Sequence, residues 1–168
     1  NISLGSVSNI FSGLKDGNFI IKSKNKRVLK NMDVLLERWV IAYNEILKPR
    51  VLRKKFRFAN ESSNLLLPEN IQLGFLWGGE SAANIITGYL KPSNHTIYYD
   101  GELSSLLNQL KLIPDNNGNV EVYNTFWTED LKLKYPKTAP ALVVYADLMG
   151  TESSRNAEAA KIILDNGL

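Results

Sequence analysis

The stretch Ser3-Leu4-Gly5-Ser6-Val7-Ser8-Asn9-Ile10-Phe11-Ser12-Gly13-Leu14, continued by Lys15-Asp16-Gly17-Asn18 and Phe19-Ile20-Ile21-Lys22-Ser23-Lys24-Asn25-Lys26-Arg27-Val28-Leu29, changes period twice within a short span. Val7, Ile10, Phe11 and Leu14 fall at helical spacing and make one apolar stripe. Ser3 stands where a helix N-cap is expected, and Gly17-Asn18 supplies the chemistry of a stop. Phe19 to Ser23 then reads as a short strand. Lys24 to Arg27 forms a polar basic tip, and Val28-Leu29 begins a return strand. Helix, turn, strand, basic tip and strand make up the second half of a winged helix. The face opposite the apolar stripe carries Ser6, Ser8, Asn9 and Ser12, which are small or amide-bearing. Such residues let a helix backbone approach a DNA groove and offer hydroxyl or amide groups to bases and phosphates. The candidate DNA-binding residues are therefore Ser3, Ser6, Ser8 and Asn9 on the helix, with Lys22, Lys24, Lys26 and Arg27 on the hairpin. The competing reading is a packing or dimer module without nucleic acid. A complete winged helix has two further helices before the recognition helix. Residues upstream of Asn1 are expected to supply them, since the chain opens on Asn and not Met.

Charge points the same way. Residues 1 to 57 hold 13 Lys and Arg against 4 acids, a balance of +9, while the remainder holds 7 against 13, a balance of −6. A basic end on an acidic body is a common pattern where one end meets nucleic acid. The second basic cluster, Lys48 to Arg57, could extend such a footprint. Its alternative is a solvated edge strand, where Lys and Arg discourage edge pairing.

Outward from the hairpin, Asn31 reads as the N-cap of a helix. Leu35, Leu36, Trp39, Val40, Tyr43, Ile46 and Leu47 form its apolar rhythm, and Pro49 is expected to stop it. Strands are expected over Val51–Phe58, Leu73–Trp77, Thr96–Tyr99 and Val120–Trp127. Helices are expected over Glu80–Leu90, Leu103–Leu110 and Arg155–Leu164. Asn60 to Asn70 reads as a connector, and Pro114 to Gly118 as a turn. Ala141-Leu142-Val143-Val144-Tyr145-Ala146 is apolar enough to be a buried central strand. The fold class is mixed α/β (α+β): a partial winged helix over residues 1–30, then a domain over 31–168 with a sheet flanked by helices.

Composition bounds the chemistry. The chain is 44% hydrophobic with three Trp, seven Tyr and six Phe, enough for a packed core. It has no cysteine, which removes disulfides, thiolate metal sites and cysteine nucleophiles and fits a reducing, cytoplasmic setting. No apolar run approaches the roughly 20 residues of a membrane span, and no signal peptide is visible. His95 is the one histidine and reads as a surface residue of the Pro92-Ser93-Asn94-His95 turn. No nucleophile elbow, phosphate loop or dinucleotide fingerprint appears, so no catalytic residue, metal ligand or cofactor is assigned.

Two enzymatic readings stay as alternatives, both acting on nucleic acid or nucleotides. Asp115 followed by Glu121-Val122-Tyr123 resembles a Mg²⁺-dependent nuclease pattern, but Tyr123 stands where lysine is expected. Gly78-Gly79-Glu80-Ser81 resembles a nucleotidyltransferase loop, yet a tight strand-to-helix turn explains the glycines equally well. Asp147, Arg155 and Glu158 read either as an ion network tying the apolar strand to the last helix or as a binding site at the strand's carboxyl end.

With these pieces in order, the chain resembles the AbiEi antitoxins of bacterial type IV toxin–antitoxin systems. The resemblance rests on Ser3 to Leu29, then Leu36-Glu37-Arg38-Trp39 with Tyr43 and Pro49. It continues in Trp77-Gly78-Gly79-Glu80-Ser81-Ala82-Ala83, in Thr87-Gly88-Tyr89-Leu90-Lys91-Pro92, and in Tyr145-Ala146-Asp147-Leu148 with Arg155 and Glu158. It implies a transcriptional repressor binding double-stranded DNA repeats upstream of its own operon. It also implies counteraction of a nucleotidyltransferase-like toxin encoded next door. No membrane partner is expected, and a homodimer is a further expectation.

Overall fold

The computed structural model describes residues 3–23, 26–60, 74–128, 131 and 133–167. The chain divides into two compact units, Asn1–Ala42 and Tyr43–Leu168. The connector expected over Asn60 to Asn70, the start of the strand expected from Leu73 and the candidate residue Lys24 lie largely outside the described residues.

In the first unit, α1 spans Leu4–Asp16. Its start is fixed by Ser3, whose hydroxyl accepts the Ser6 N–H. Gly17 closes it by donating its N–H to Gly13 O, and Asn18 adopts a left-handed φ of 62°. The chain then enters β1 (Ile20–Ser23), which pairs antiparallel with β2 (Lys26–Leu29) in the register Ile20↔Leu29 to Ser23↔Lys26. Lys30 N–H to Phe19 O closes the base of this hairpin. Phe19 is the one described residue of the unit that is fully buried. α2 spans Met32–Ala42. Asn31 sits just before it as expected, but with φ 51° and its side-chain amide directed to Asn18 O rather than back onto the helix.

The second unit begins with a π-helical turn, Tyr43–Leu47, and a last α turn, α3 (Lys48–Val51). Pro49 does not stop the helical run. It occupies the first turn of α3, where its missing N–H has no partner to lose. β3 (Leu52–Phe58), β4 (Leu76–Gly78), β5 (His95–Tyr98), β6 (Leu112–Pro114) and β7 (Val120–Tyr123) form one sheet in the order β4-β5-β7-β3-β6. β5 and β7 run parallel, and the other neighbours antiparallel. All four residues of β5 are buried, as a strand covered on both faces requires.

Among the described residues, four helices flank this sheet. α4 (Gly79–Thr87) follows β4 directly and ends at Gly88 in the left-handed region. α5 (Leu103–Leu110) buries Leu106 and Leu110 and packs against β6. α6 (Ala141–Met149) and α7 (Ser154–Asp165) pack on each other and on α4. Asn156, Ala159, Ala160 and Ile163 repeat at helical spacing and form the buried face of α7.

Three sequence expectations are corrected. The apolar run from Ala141 is the helix α6, not a central strand. A short apolar run buried on most sides has no readable period, so it does not separate strand from helix. Pro140 before it and Gly150 after it bound a helix of nine residues, extended through Asp147 and Leu148. β3 is an inner strand between β7 and β6, not a solvated edge. His95 lies in β5 and is 6% exposed, not on a surface turn. The sequence also missed β6, and it extended the strand from Val120 and the helix from Glu80 past their observed ends at Tyr123 and Thr87.

Candidate functional site

Two places gather chemistry, one in each unit. On α1, Ser3 and Ser6 are occupied with each other. The Ser3 hydroxyl takes the Ser6 N–H, and the two Oγ atoms lie 2.9 Å apart. Ser8 and Asn9 are exposed on the same helix. On the hairpin, Lys22 faces Arg27 across the ladder, and Lys26 faces Ser23. Arg27 lays its guanidinium over the Phe11 ring, 4.5 Å from the centroid. That cation–π contact ties the hairpin to α1, so the basic strand and the polar helix belong to one surface element. Arg38 makes a similar contact with Phe19 at 5.1 Å.

The Lys48–Arg57 cluster is mostly committed internally. Lys55 pairs with Glu121 at 2.6 Å, and Arg57 approaches Asp115 at 3.5 Å. Arg53 donates to the carbonyls of Tyr99 and Gly101. Inner-strand basic residues with these partners do not form a free stripe along one side of the molecule.

In the second unit, Asp147 is the centre. Residing on α6 and only 2% exposed, it accepts hydrogen bonds from Tyr43 Oη at 2.7 Å, Tyr98 Oη at 3.0 and 3.1 Å, and the Gly79 backbone N–H at 3.0 Å. Lys48 Nζ adds an ion pair at 2.8 Å. A buried carboxylate needs this degree of satisfaction, because an unpaired charge in low dielectric is costly. The same surroundings act on the phenols. Burial first, and then the charge of Asp147, push the hydroxyls of Tyr43 and Tyr98 well above the ordinary tyrosine range. Both therefore stay protonated and remain donors.

The glycines before α4 make this arrangement possible. A Cβ on Gly78 would lie 2.5 Å from the Tyr98 ring and 2.8 Å from Asp147 Oδ2. Gly79 has φ +48° and presents its N–H to the carboxylate. The Gly78-Gly79 pair is thus a strand-to-helix turn shaped around Asp147. Arg155 and Glu158 do not join Asp147: its cation is Lys48, and Glu158 takes the hydroxyl of Tyr89.

A cavity of about 220 Å³ opens beside this network, lined among others by Lys48, Lys55, Glu80, Thr96, Glu121 and Asp147. Burial opposes ionisation of Glu80. The backbone N–H groups of Ser93 and Asn94, with the amides of Asn156 and Asn94, outweigh it and hold the carboxyl below its usual range. Glu121 behaves alike, with Lys55 and Tyr123 overcoming burial. His95 accepts from or donates to Ser81 Oγ at 2.8 Å through Nδ1 and meets Phe58 edge-on. Burial lowers its basicity, partly offset by Glu80. Among the described residues, no three His, Asp or Glu side chains are placed to share a metal ion. Sequence reasoning singled out Asp147 and the glycines but missed Tyr43, Tyr98, Lys48 and Thr96 as their neighbours. The one legible signal was an acid, Asp147, closing an otherwise apolar run.

The chain thus comprises a small basic helix-and-hairpin unit and a second unit built on a mixed sheet flanked by helices. Residues 27–168 match the family described as transcriptional regulator, AbiEi antitoxin, type IV toxin–antitoxin system, and the chain belongs to that family. No curated protein and no solved structure matches the chain. No helix among the described residues is long and apolar enough to cross a membrane.

Proposed function

We propose that this chain is the DNA-binding repressor of its own operon and the non-enzymatic, cytoplasmic antitoxin to a nucleotidyltransferase-like toxin. The observation that carries the reading is the α1–hairpin surface. A helix whose exposed face bears Ser8 and Asn9 stands beside a basic hairpin held to it by Arg27 on Phe11. The helix suits groove contact. Lys22, Lys24, Lys26 and Arg27 suit the phosphate backbone. Residues 1–30 then act as the recognition helix and wing, and residues 31–168 as the antitoxin-type domain.

The test is binding of promoter-repeat duplex across a salt series. Affinity is expected to fall steeply as salt rises, by roughly 0.9 in the log–log slope for each phosphate neutralised. Replacing Lys24, Lys26 and Arg27 together by alanine should weaken binding and flatten that slope by up to about 3. Binding unchanged in the triple variant would remove the hairpin from the interface. Incubation with DNA, RNA or nucleotides and Mg²⁺ should give no turnover. Turnover abolished by Asp147→Ala would establish an enzyme instead.

A further inference from the structure

We propose that the cavity beside Asp147 binds an organic cation of the guanidinium type. Its lining holds the carboxylates of Glu80, Glu121 and Asp147 against the ammonium groups of Lys48 and Lys55, which leaves one negative charge in excess. Lys48 is paired with Asp147, and Lys55 with Glu121. Glu80 has no ion pair among the described residues. Neutral donors from Ser93, Asn94 and Asn156 surround it and keep it ionised. The uncompensated charge of the cavity therefore sits on Glu80.

The lining amides are polarised the same way. Asn94 and Asn156 both donate Nδ2 to Glu80 Oε1, at 3.3 and 3.2 Å, and Asn119 donates Nδ2 to Ser93 O at 2.8 Å. Asn156 donates its second N–H to Thr151 Oγ1 at 3.1 Å. With the nitrogen end engaged on protein, each amide has its oxygen left over, and among the described residues none of the three oxygens receives a donor. Asn156 is the independent observation. It is only 4% exposed, so its oxygen calls for a donor inside the cavity. Thr96, 8% exposed, also lines the cavity with a hydroxyl that has no hydrogen-bond partner among the described residues. Thr96 stands opposite Glu121 in the β5–β7 ladder, and Glu121 opposite Lys55 in the β7–β3 ladder, so the three share one face of the sheet. Glu121 gives Oε1 to Lys55 and Oε2 to Tyr123 and keeps a lone pair on each oxygen. What the lining has left over is thus acceptors, in a site of net negative charge. A guanidinium is charged, has no acceptor and offers five N–H donors in a planar fork, against three on an ammonium. At about 220 Å³ the space lies below the roughly 300 Å³ at which pockets for drug-sized ligands begin, so it fits a guanidinium on a short alkyl stem.

The experiment is titration of the full chain with butylguanidinium, butylammonium and the uncharged isostere butylurea at matched ionic strength, followed by calorimetry and NMR. Butylguanidinium should bind saturably, roughly tenfold tighter than butylurea and severalfold tighter than butylammonium, because charge-assisted hydrogen bonds are the stronger ones and the fork engages more acceptors. It should shift the backbone amides of Thr96 and Glu121 and the side-chain amide of Asn156. Lys55→Met gives the sign. Removing a cation and freeing Glu121 should tighten binding severalfold, whereas an anion site would lose affinity. Thr96→Val keeps the side-chain size and should weaken binding severalfold with far-UV circular dichroism unchanged. A capped Gly-Arg-Gly peptide separates the two sources of the group. Peptide binding at least as tight as butylguanidinium assigns the cavity to an arginine side chain of a protein, and weaker peptide binding assigns it to a free small cation. The absence of saturable binding overturns the proposal. So do butylurea or butylammonium binding as tightly as butylguanidinium, weakened or unchanged binding in Lys55→Met, or shifts that spare Thr96, Glu121 and Asn156. None of these outcomes depends on whether the hairpin binds DNA.

Discussion

His95 is where acid acts first. Its ring is buried in β5, bonded to Ser81 and set edge-on against Phe58. Burial favours the neutral ring, so its folded value lies below the ordinary 6.5. Above 6.5 the ring is neutral in both folded and unfolded chains and contributes no pH dependence. As pH falls below 6.5, the unfolded chain takes up a proton that the folded chain resists, and stability declines until the folded value is passed. Glu80 and Glu121, held below the ordinary 4.5, add a second loss at lower pH. The melting temperature should therefore drop by a few degrees between pH 7.5 and 5.5 and drop further below pH 4.5. In His95→Gln the first decline should disappear while the second persists. Equal slopes in the two proteins above pH 5 would show that His95 is not the group responsible.

At the scale of elements, the junction between β4 and α4 is the most constrained point. The strand ends on Gly78, and the helix begins on Gly79 with no side-chain cap. What takes the place of a cap is Asp147, a carboxylate from another helix that accepts the first N–H and meets the positive end of the peptide dipoles. Gly78→Ala should destabilise by about 3 kcal/mol or more, because its Cβ would sit 2.5 Å from Tyr98 and overpacking of this kind forces side chains apart. Gly13→Ala on α1 is the contrasting case. Its Cβ would meet nothing within 4 Å, and replacing a mid-helix glycine should strengthen the helix by about 0.5–1 kcal/mol. Urea unfolding of both variants checks the pair, and a neutral Gly78→Ala would mean that the junction relaxes. The hairpin is another matter of elements. Its pairing was legible in the short apolar runs on either side of the basic tip, whereas the stacking of Arg27 on Phe11 was not, since nothing in local sequence places residue 27 over residue 11.

At the scale of the molecule, a single charge joins most of the second unit. Tyr43 in the π turn, Lys48 on α3, Gly79 on α4 and Tyr98 on β5 all converge on Asp147 of α6. Asp147→Ala would remove the carboxylate that Lys48, the Tyr43–Tyr98 hydroxyl pair and the Gly79 N–H share, a loss on the order of 3 kcal/mol. Chemical denaturation should show the loss in the cooperative unfolding of residues 43–168. Promoter binding by the folded fraction should be preserved, because the proposed DNA surface lies in the other unit. Loss of promoter binding in a variant that remains folded would tie the two units functionally.

Composition and spacing by themselves determined a great deal. They determined the charge asymmetry, the helix-and-hairpin start, the mixed α/β class and the positions of α5 and α7. All of these follow from local periodicity, turn chemistry and residue type, which act over a few residues. Tertiary structure alone decided that Ala141–Met149 is a helix, since a run buried on nearly every side shows no period in sequence. It decided that His95 is interior, since a histidine beside a turn motif reads as exposed until a strand carries it under Phe58. It also decided the partners of Asp147 and the cavity beside it. Those groups lie 49 to 104 residues apart in sequence, and only the closing of the sheet and the packing of α4 against α6 bring their charges within hydrogen-bond range.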